Sequence, residues 1–289
     1  MSVIQFSTRL ARVALVMALA APMGACSTIE SLNPFAKGEK YETKLLPDEP
    51  ADDIYDQGLA RLKNRDSEGA AKKFGDLDKQ YPFSQQARKG LIMTAYAYYS
   101  GGKYDDAISS ATHYVSLYPA SPDTAYAMYL TAMSYYNQIP DITRDQDRSE
   151  KALTMFNQLV ERFPKSEYVE DSKFKIIVLR DQLAGKEMSV GRYYLGRNDY
   201  HGAINRFQTV IAKYQTTRHV EEALYRLTEA NLALGLVDEA KSTAAVLGHN
   251  YPDSQWYKDA FDLLQKGGLS PQENSESWIS RTFKKIGLG

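Results

Sequence analysis

The sequence predicts an all-α fold, a helical solenoid of five helix-turn-helix repeats. The first observation is an interval of twelve residues from an alanine to a helix-ending position. The alanines are Ala70, Ala107, Ala152, Ala203 and Ala240, and the ending positions are Pro82, Pro119, Pro164, Gln215 and Pro252. The second observation is that small or apolar residues follow each alanine four and seven positions later, which is helical spacing. A unit of this kind, repeated five times, is typical of a repeat array.

Each element of the repeat has a physical reason. A small alanine lets two antiparallel helices approach closely, and proline ends the second helix because it has no N–H to donate. Gly102 and Gly235 stand five residues before their alanines, where the first helix should end in a left-handed cap. Arg65 and Asn198 take that place in the first and fourth units. The pattern resembles the tetratricopeptide (TPR) repeat.

The spacing between repeats departs from its period at two places. Successive alanines are 37, 45, 51 and 37 residues apart. The eight extra residues before Ala152 fall in a polar, proline-broken stretch, 138–148, which predicts a loop between paired helices. The fourteen extra residues before Ala203 contain no proline and correspond to about four helical turns. We therefore expect the first helix of the fourth unit to be lengthened without losing its phase.

The N-terminus has the features of a targeting segment. Arg9 and Arg12 precede a short apolar run, 13–21, and small residues lead to Cys26, the single cysteine of the chain. This arrangement resembles the lipobox of bacterial lipoproteins, in which the cysteine is acylated; the alternative is an ordinary signal peptide with a chance cysteine. We expect a lipoprotein signal peptide over 1–25, a lipidated Cys26 with a tether over 26–50, repeats over 51–267 and a tail over 268–289.

Composition and motifs argue against several classes of function. The formal net charge of −1, about −3 once Arg9 and Arg12 are removed, gives no basis for binding nucleic acid. The four histidines are widely separated along the chain and have no ligands at metal-binding spacing, so neither a metal nor a cofactor is expected. No nucleophile with a base is apparent, and the Glu276-Ser277 pair, similar to that of lytic transglycosylases, has no catalytic domain around it. The chain is predicted not to be an enzyme.

The first helices of a TPR array stack along one face, which forms a groove. The four groove positions lie eighteen, fifteen, eleven and eight residues before each repeat alanine, with eight residues added in the third unit for its loop. Tyrosine, of which the chain has 21, is concentrated at these positions. The predicted groove residues are Tyr55, Ile92, Tyr96, Tyr99, Tyr126, Tyr129 and Tyr136. Tyrosine suits recognition of an extended peptide with aromatic side chains; the alternative is that neighbouring repeats or the N-terminal segment cover the rings.

Longer stretches resemble one family. They are the segment 80–84 with Gln86-Ala87, the segment 96–99, the segment 185–194, and Ala203 to Phe207. Together they resemble the BamD (ComL) family of lipoproteins, part of the β-barrel assembly machinery of Gram-negative outer membranes. The resemblance covers the lipobox, the five repeats and the long fourth-unit helix.

The resemblance implies a scaffold that is lipid-anchored to the outer membrane and faces the periplasm. It implies that the C-terminal repeats hold the POTRA domains of BamA, beside other assembly lipoproteins, and that the clients are unfolded outer-membrane proteins whose last strand ends in aromatic residues. It places Asn205 and Arg206 near the BamA contact; an ion pair within the solenoid is the alternative for Arg206. The competing functions are another periplasmic TPR lipoprotein, in pilus assembly or envelope division, and a transglycosylase-like enzyme.

The tail contains a predicted short amphipathic helix. Ile279, Phe283 and Ile286 share one stripe, and the basic residues lie off it. Such a helix can cap the last repeat, dock on a partner or contact anionic headgroups; a frayed tail is the alternative.

The lipidation prediction has a direct test. Cys26→Ser removes the only thiol, so the variant should incorporate no labelled palmitate and should accumulate as precursor or as soluble protein. Metabolic labelling followed by membrane fractionation measures both. Labelling equal to that of the unsubstituted chain would contradict the prediction.

Overall fold

Helices follow one another without a strand in the part of the chain that the computed structural model describes, residues 49–82, 84–141 and 144–285. These residues belong to a unit that begins at Glu49. The predicted signal peptide, Cys26 and nearly all of the tether lie outside the described residues. The all-α class and the solenoid of paired helices are confirmed.

The twelve helices of the described ranges form five pairs and two additional helices. The first four are α1 (Ala51–Lys63), α2 (Ser67–Gln80), α3 (Gln85–Ser100) and α4 (Tyr104–Leu117). The next four are α5 (Thr124–Asn137), α6 (Asp147–Arg162), α7 (Val169–Gly196) and α8 (Tyr200–Lys213). The last four are α9 (Val220–Ala233), α10 (Val237–Asn250), α11 (Gln255–Lys266) and α12 (Trp278–Lys285).

Each helix from α1 to α10 packs against the next one along the chain, and α12 packs on α10. First helices of successive pairs also meet, because α1 contacts α3 and α3 contacts α5, and the first helix α9 contacts the additional helix α11 in the same way. This is the stacking expected of a solenoid, because each pair buries its apolar surface only against its neighbours. The first helices therefore share one face of the array.

The repeat positions form the core. The five repeat alanines and the residues four and seven positions after each are all 0% exposed. Because the alanines are fully buried, they lie in the contact between the two helices of a pair. Larger residues such as Phe74, Phe156 and Phe207 fill the space beside them. The interval found in the sequence is therefore the packing repeat of the fold.

The second helices end in a turn that the sequence pattern predicts only in part. Each ends two residues before the proline or Gln215, and an aromatic residue follows it: Tyr81, Tyr118, Phe163, Tyr214 and Tyr251. The N–H of that residue donates to the carbonyl four residues earlier at 2.8–2.9 Å, and its carbonyl accepts from a serine or threonine N–H three residues later at 3.0–3.1 Å. Tyr214 and Thr217 make both bonds. The fourth unit therefore closes its turn without proline.

The ends of the first helices confirm the predicted left-handed caps. Gly102 and Gly235 have φ of 73° and 74°, and Arg65 and Asn198 adopt nearly the same conformation, with φ of 61° and 60°.

The residues inserted before Ala152 and before Ala203 also lie where the sequence predicts them. The connection from α5 to α6 takes up the first insertion, and α7 is a 28-residue helix that takes up the second.

The tail packs on the last repeat. After α11 the chain returns along α10, where the Gln272 N–H donates to the Lys241 carbonyl at 3.3 Å. Ile279 and Phe283 of α12, two of the three predicted stripe residues, are 0% and 1% exposed and belong to the core that includes Val246 of α10. Ile286 lies outside the described residues. The described part of the tail is thus a capping element and not a frayed end.

None of the helices in the described ranges combines the length and apolarity needed to cross a bilayer.

Two glycines of the first repeat make a matched test of close packing. A Cβ added to Gly58 of α1 would lie 2.7 Å from Cδ1 of the buried Phe74 ring, whereas a Cβ on Gly75 of α2 would meet nothing within 4 Å. Gly58→Ala should lower the free energy of unfolding by about 1–3 kcal/mol through overpacking. Gly75→Ala should raise it by about 0.5–1 kcal/mol because alanine restricts the unfolded chain. Urea denaturation measures both, and equal effects would contradict the packing described.

Candidate peptide-binding groove

Several of the predicted groove tyrosines meet where α3 and α5 adjoin. The Asn137 side-chain amide of α5 donates to the Tyr99 hydroxyl of α3 at 3.0 Å, which joins the two helices on this face. The Tyr99 ring also contacts Tyr104, with ring centroids 5.8 Å apart. Tyr96, one turn earlier on α3, is 37% exposed. The face is therefore polar at the hydroxyls and apolar at the rings.

The tyrosines of α5 continue this surface to the start of α7. The Tyr129 hydroxyl donates to Asp171 of α7 at 2.8 Å. The Tyr129 ring stacks on Tyr168, with centroids 4.8 Å apart, and Tyr126 lies 5.4 Å from the same ring. We call Tyr96, Tyr99, Tyr126, Tyr129 and Tyr168 the tyrosine cluster. An open depression of about 630 Å³, lined in part by Tyr126 and Tyr168, lies beside it.

The hydroxyls of Tyr126, Tyr129 and Tyr168 have a raised pKa and stay protonated at neutral pH. Burial raises the pKa of Tyr126, and the neighbouring Tyr96 and Tyr168 raise it further. Burial also raises the pKa of Tyr129. The hydrogen bond to Asp171 raises it further, because the protonated hydroxyl donates to the carboxylate whereas an ionised one would be repelled by it. The pKa of Tyr168 is raised to about 12, mainly by burial. These three hydroxyls are therefore neutral groups, and a neutral hydroxyl can both donate and accept hydrogen bonds.

Two of the predicted groove residues, Ile92 and Tyr55, do not lie on an open surface. Ile92 is only 7% exposed and packs with Ala111, Tyr114 and Leu130, so it contributes to the interior between α3, α4 and α5. Tyr55 on α1 is half-buried, with its ring 5.5 Å from Phe74. Ile92 occupies a groove position in the sequence, fifteen residues before Ala107. The position alone does not reveal that α4 and α5 cover the side chain.

Tyr136 and two residues of α7 form the next part of the face. The Tyr136 ring lies 6.4 Å from Phe156, and the Lys175 ammonium lies 4.9 Å from the Tyr136 ring centroid. Lys175 is also 5.8 Å from the ring of Phe174, whose side chain is 59% exposed. These residues of α7 were absent from the predicted groove.

The sequence did contain a signal for them. Subtracting the fourteen inserted residues from the fourth unit moves its groove positions to Asp171, Phe174, Val178 and Asp181. Asp171 accepts the hydrogen bond from Tyr129, so the first of these positions does face α5. The predicted groove allows for the insertion in the third unit but not for the one in the fourth. The N-terminal half of α7 therefore continues the groove that the first three units begin.

The C-terminal first helices carry charges on the corresponding surface. Arg192 of α7 pairs with Glu222 of α9 at 2.8 Å, and Arg226 of α9 pairs with Glu229 at 2.9 Å. The Arg226 guanidinium also lies 5.1 Å and 5.7 Å from the ring centroids of Tyr225 and Trp256. The side chains on the face of the first helices thus change along the array, from mainly tyrosines in the N-terminal units to mainly ion pairs in the C-terminal units.

The predicted partner-contact residues lie on α8, which is a second helix. Asn205 is exposed, and Arg206 is 42% exposed in its side chain. Arg206 pairs with Glu187 of α7 at 3.1 Å, and hydrogen bonding to this carboxylate raises the pKa of the guanidinium. The alternative of an ion pair within the solenoid is therefore present in this chain. The partner contact itself stays a prediction.

The described ranges 49–82, 84–141 and 144–285 contain no group of three or more His, Cys, Asp or Glu side chains that could hold a metal ion. The class of protein that the fold of these ranges defines is an all-α scaffold of stacked helix pairs, with the tyrosine cluster on the face of its first helices. Its neutral hydroxyls and half-buried rings are suited to contact with a peptide.

Comparison with known proteins assigns the family. Residues 47–247 match the YfiO family, described as an outer membrane lipoprotein. A protein of Caulobacter vibrioides named outer membrane protein assembly factor BamD is 44% identical over 232 residues, which cover 80% of this chain and 76% of that protein. BamD of Rickettsia prowazekii is 41% identical, covering 75% and 86%, and that of Neisseria meningitidis serogroup A is 31% identical, covering 86% and 95%. The chain belongs to this family.

The family assignment confirms the resemblance found in the sequence. The names of the relatives describe an assembly factor, in agreement with the prediction that this chain is not an enzyme. They also support an association with the outer membrane.

Proposed function

We propose that this chain is a lipid-anchored scaffold of the outer-membrane β-barrel assembly machinery. It is held at the periplasmic face of the outer membrane through Cys26, and it binds unfolded outer-membrane proteins in the tyrosine groove of its first helices. Its C-terminal repeats bind the POTRA domains of BamA beside other lipoproteins of the machinery. The relatives named as assembly factors support this general role.

The observation that carries the client-binding proposal is the tyrosine cluster between α3, α5 and α7. Tyr96 at 37% and Phe174 at 59% exposure offer apolar area to a ligand. The hydroxyls of Tyr126 and Tyr129 are neutral at pH 7, as tyrosine hydroxyls ordinarily are, and burial raises their pKa further, so they bond to a peptide without requiring charge on it. Aromatic rings bury large areas at a low cost in conformational entropy, which suits a surface that binds many sequences.

The expected ligand is an extended chain with apolar side chains at alternate positions. Such a chain places every second side chain on one face, about 6.6 Å apart, and leaves its backbone groups free to bond with hydroxyls. The strands of an unfolded barrel protein have this alternation. Affinity would come from ring contacts and hydrogen bonds alone, without nucleotide or metal.

The partner contact would use a different surface from the client. Asn205 and Arg206 lie on α8, a second helix, whereas the tyrosine cluster lies on first helices and at the start of α7. The Glu187 pairing of Arg206 leaves part of the guanidinium exposed, and its other N–H groups can donate to a partner carboxylate or carbonyl. Client and BamA could then be held at the same time.

Removing two rings tests the groove. Tyr96→Ala combined with Tyr129→Ala should weaken binding of a peptide from the last strand of an outer-membrane barrel. Each truncated anchor should cost about 2 kcal/mol, or roughly 30-fold in affinity. Fluorescence anisotropy with a labelled peptide measures the change.

The matched control is Tyr193→Ala. Tyr193 is 59% exposed on α7 but lies off the four groove positions, so its removal should leave peptide affinity unchanged. Circular dichroism melting establishes that both variants remain folded. Undiminished peptide affinity in the double variant, or loss of its fold, would assign the rings to packing and overturn the groove.

A further inference from the structure

The outward side of α12 carries three cations, Arg281, Lys284 and Lys285, which we call the basic face. All three are exposed, whereas Ile279 and Phe283 of the same helix are 0% and 1% exposed. Residues three and four positions apart share one side of a helix, so the three cations lie together. At about 100° per residue, they lie on the side opposite the two buried residues. Because α12 packs on α10 through its apolar side, the basic face is held toward solvent.

The charge of the basic face is not neutralised by the rest of the array. Within the part of the chain that the structure describes, none of its three residues makes an ion pair with a carboxylate. The exposed Glu273 and Glu276 precede the helix, and Lys284 follows Glu276 by eight residues, roughly 12 Å at the helical rise. This exceeds the Debye length of about 8 Å at physiological salt, so Glu276 does little to offset the charge of Lys284 and Lys285.

The surroundings of the basic face lack the apolar anchors of a protein interface. The buried centre of a specific interface is rich in apolar and aromatic side chains and poor in charge. Among the described residues that follow α11, no large apolar side chain is exposed. Leu269 and Trp278 pack against the core, and Ile279 and Phe283 are buried in it. A charged face without apolar anchors suits a flat anionic surface better than a shaped protein surface.

We propose that the basic face binds the anionic headgroups of a phospholipid membrane. The contact is electrostatic and superficial, because the last repeat occupies the apolar side of α12 and keeps it from entering the bilayer. Each cation near an anionic membrane surface contributes modestly, so three of them give weak, salt-sensitive binding. The chain belongs to a family described as an outer membrane lipoprotein, which places a membrane surface among its surroundings.

This contact gives the chain a second hold on the membrane. The proposed anchor, Cys26, precedes the first helix, and α12 follows the last repeat. An anchor before the array raises the effective concentration of the membrane at its tail, so even a weak contact is populated. The array is then held along the membrane surface instead of turning freely on its tether. Binding by the basic face itself does not depend on acylation.

Vesicle flotation tests the proposal. Every sample is the full chain carrying Cys26→Ser, so that acyl chains do not hold it on all vesicles. The probes are vesicles of phosphatidylcholine alone and of an equimolar mixture with phosphatidylglycerol. The tail variant replaces Arg281, Lys284 and Lys285 with glutamine. At low ionic strength it should bind the anionic vesicles at least about tenfold more weakly than the chain with its own tail. In about 1 M salt, where the Debye length is about 3 Å, the difference should vanish.

Two further variants separate the basic face from net charge. The control replaces Lys63, Lys72 and Lys213 with glutamine, which removes the same charge from exposed positions on three different helices. It should bind the anionic vesicles as the unsubstituted tail does. Exchanging arginine for lysine and lysine for arginine within the basic face keeps its charge, so that variant should also bind fully. Circular dichroism melting establishes that every variant is folded.

The outcomes distinguish a membrane from other partners. Equal binding of the tail variant and the control to anionic vesicles would overturn the proposal, as would a difference that persists in 1 M salt. Tail-dependent binding of polyglutamate without a preference for anionic vesicles would assign the basic face to an acidic protein and exclude the membrane contact. These results would leave the lipid anchor and the client groove intact, because no sample is acylated and no client is present.

Discussion

The close approach of the two helices in each pair is the constraint on which the rest of this structure depends. It is made possible by residues without bulk: the repeat alanines are fully buried, and Gly58 and Gly191 leave room for the rings of Phe74 and Phe207. Because each pair is fixed in this way, the next pair must stack on it in the same orientation. Every first helix then contributes its outward residues to one face, and the tyrosines of three different units come together there.

The length of α7 follows from the same constraint. Its C-terminal end packs with α8 at the repeat phase, through Gly191 and Phe207, whereas its N-terminal end meets α5 through Asp171 and Tyr129. The fourteen inserted residues amount to about four turns, so both ends keep the phase that their neighbours need. One helix can therefore carry an aromatic groove at its start and ion pairs such as Arg192 with Glu222 near its end.

Most of the fold could be predicted from the sequence because its signals are local and repeated. The buried alanine positions, the left-handed caps at Gly102 and Gly235, and the long fourth-unit helix all depend on residues within one unit. The site was harder to predict because it depends on contacts between units. Ile92 occupies a groove position but is covered by neighbouring helices, and Phe174 was missed because an insertion shifts its register. The Glu187 partner of Arg206 lies nineteen residues away on another helix, which neither spacing nor composition reveals.

Site-specific photo-crosslinking tests the central claim that one array holds a client on its first helices and BamA on its second helices. Benzoylphenylalanine would be placed at Tyr99, at Asn205 and, as a control, at Leu117, a 49% exposed residue at the end of α4. After irradiation of cells, position 99 should crosslink to unfolded outer-membrane proteins and position 205 to BamA, while position 117 should crosslink to neither. Client crosslinks from position 117 but not from position 99, or BamA crosslinks from position 99 but not from position 205, would contradict the account.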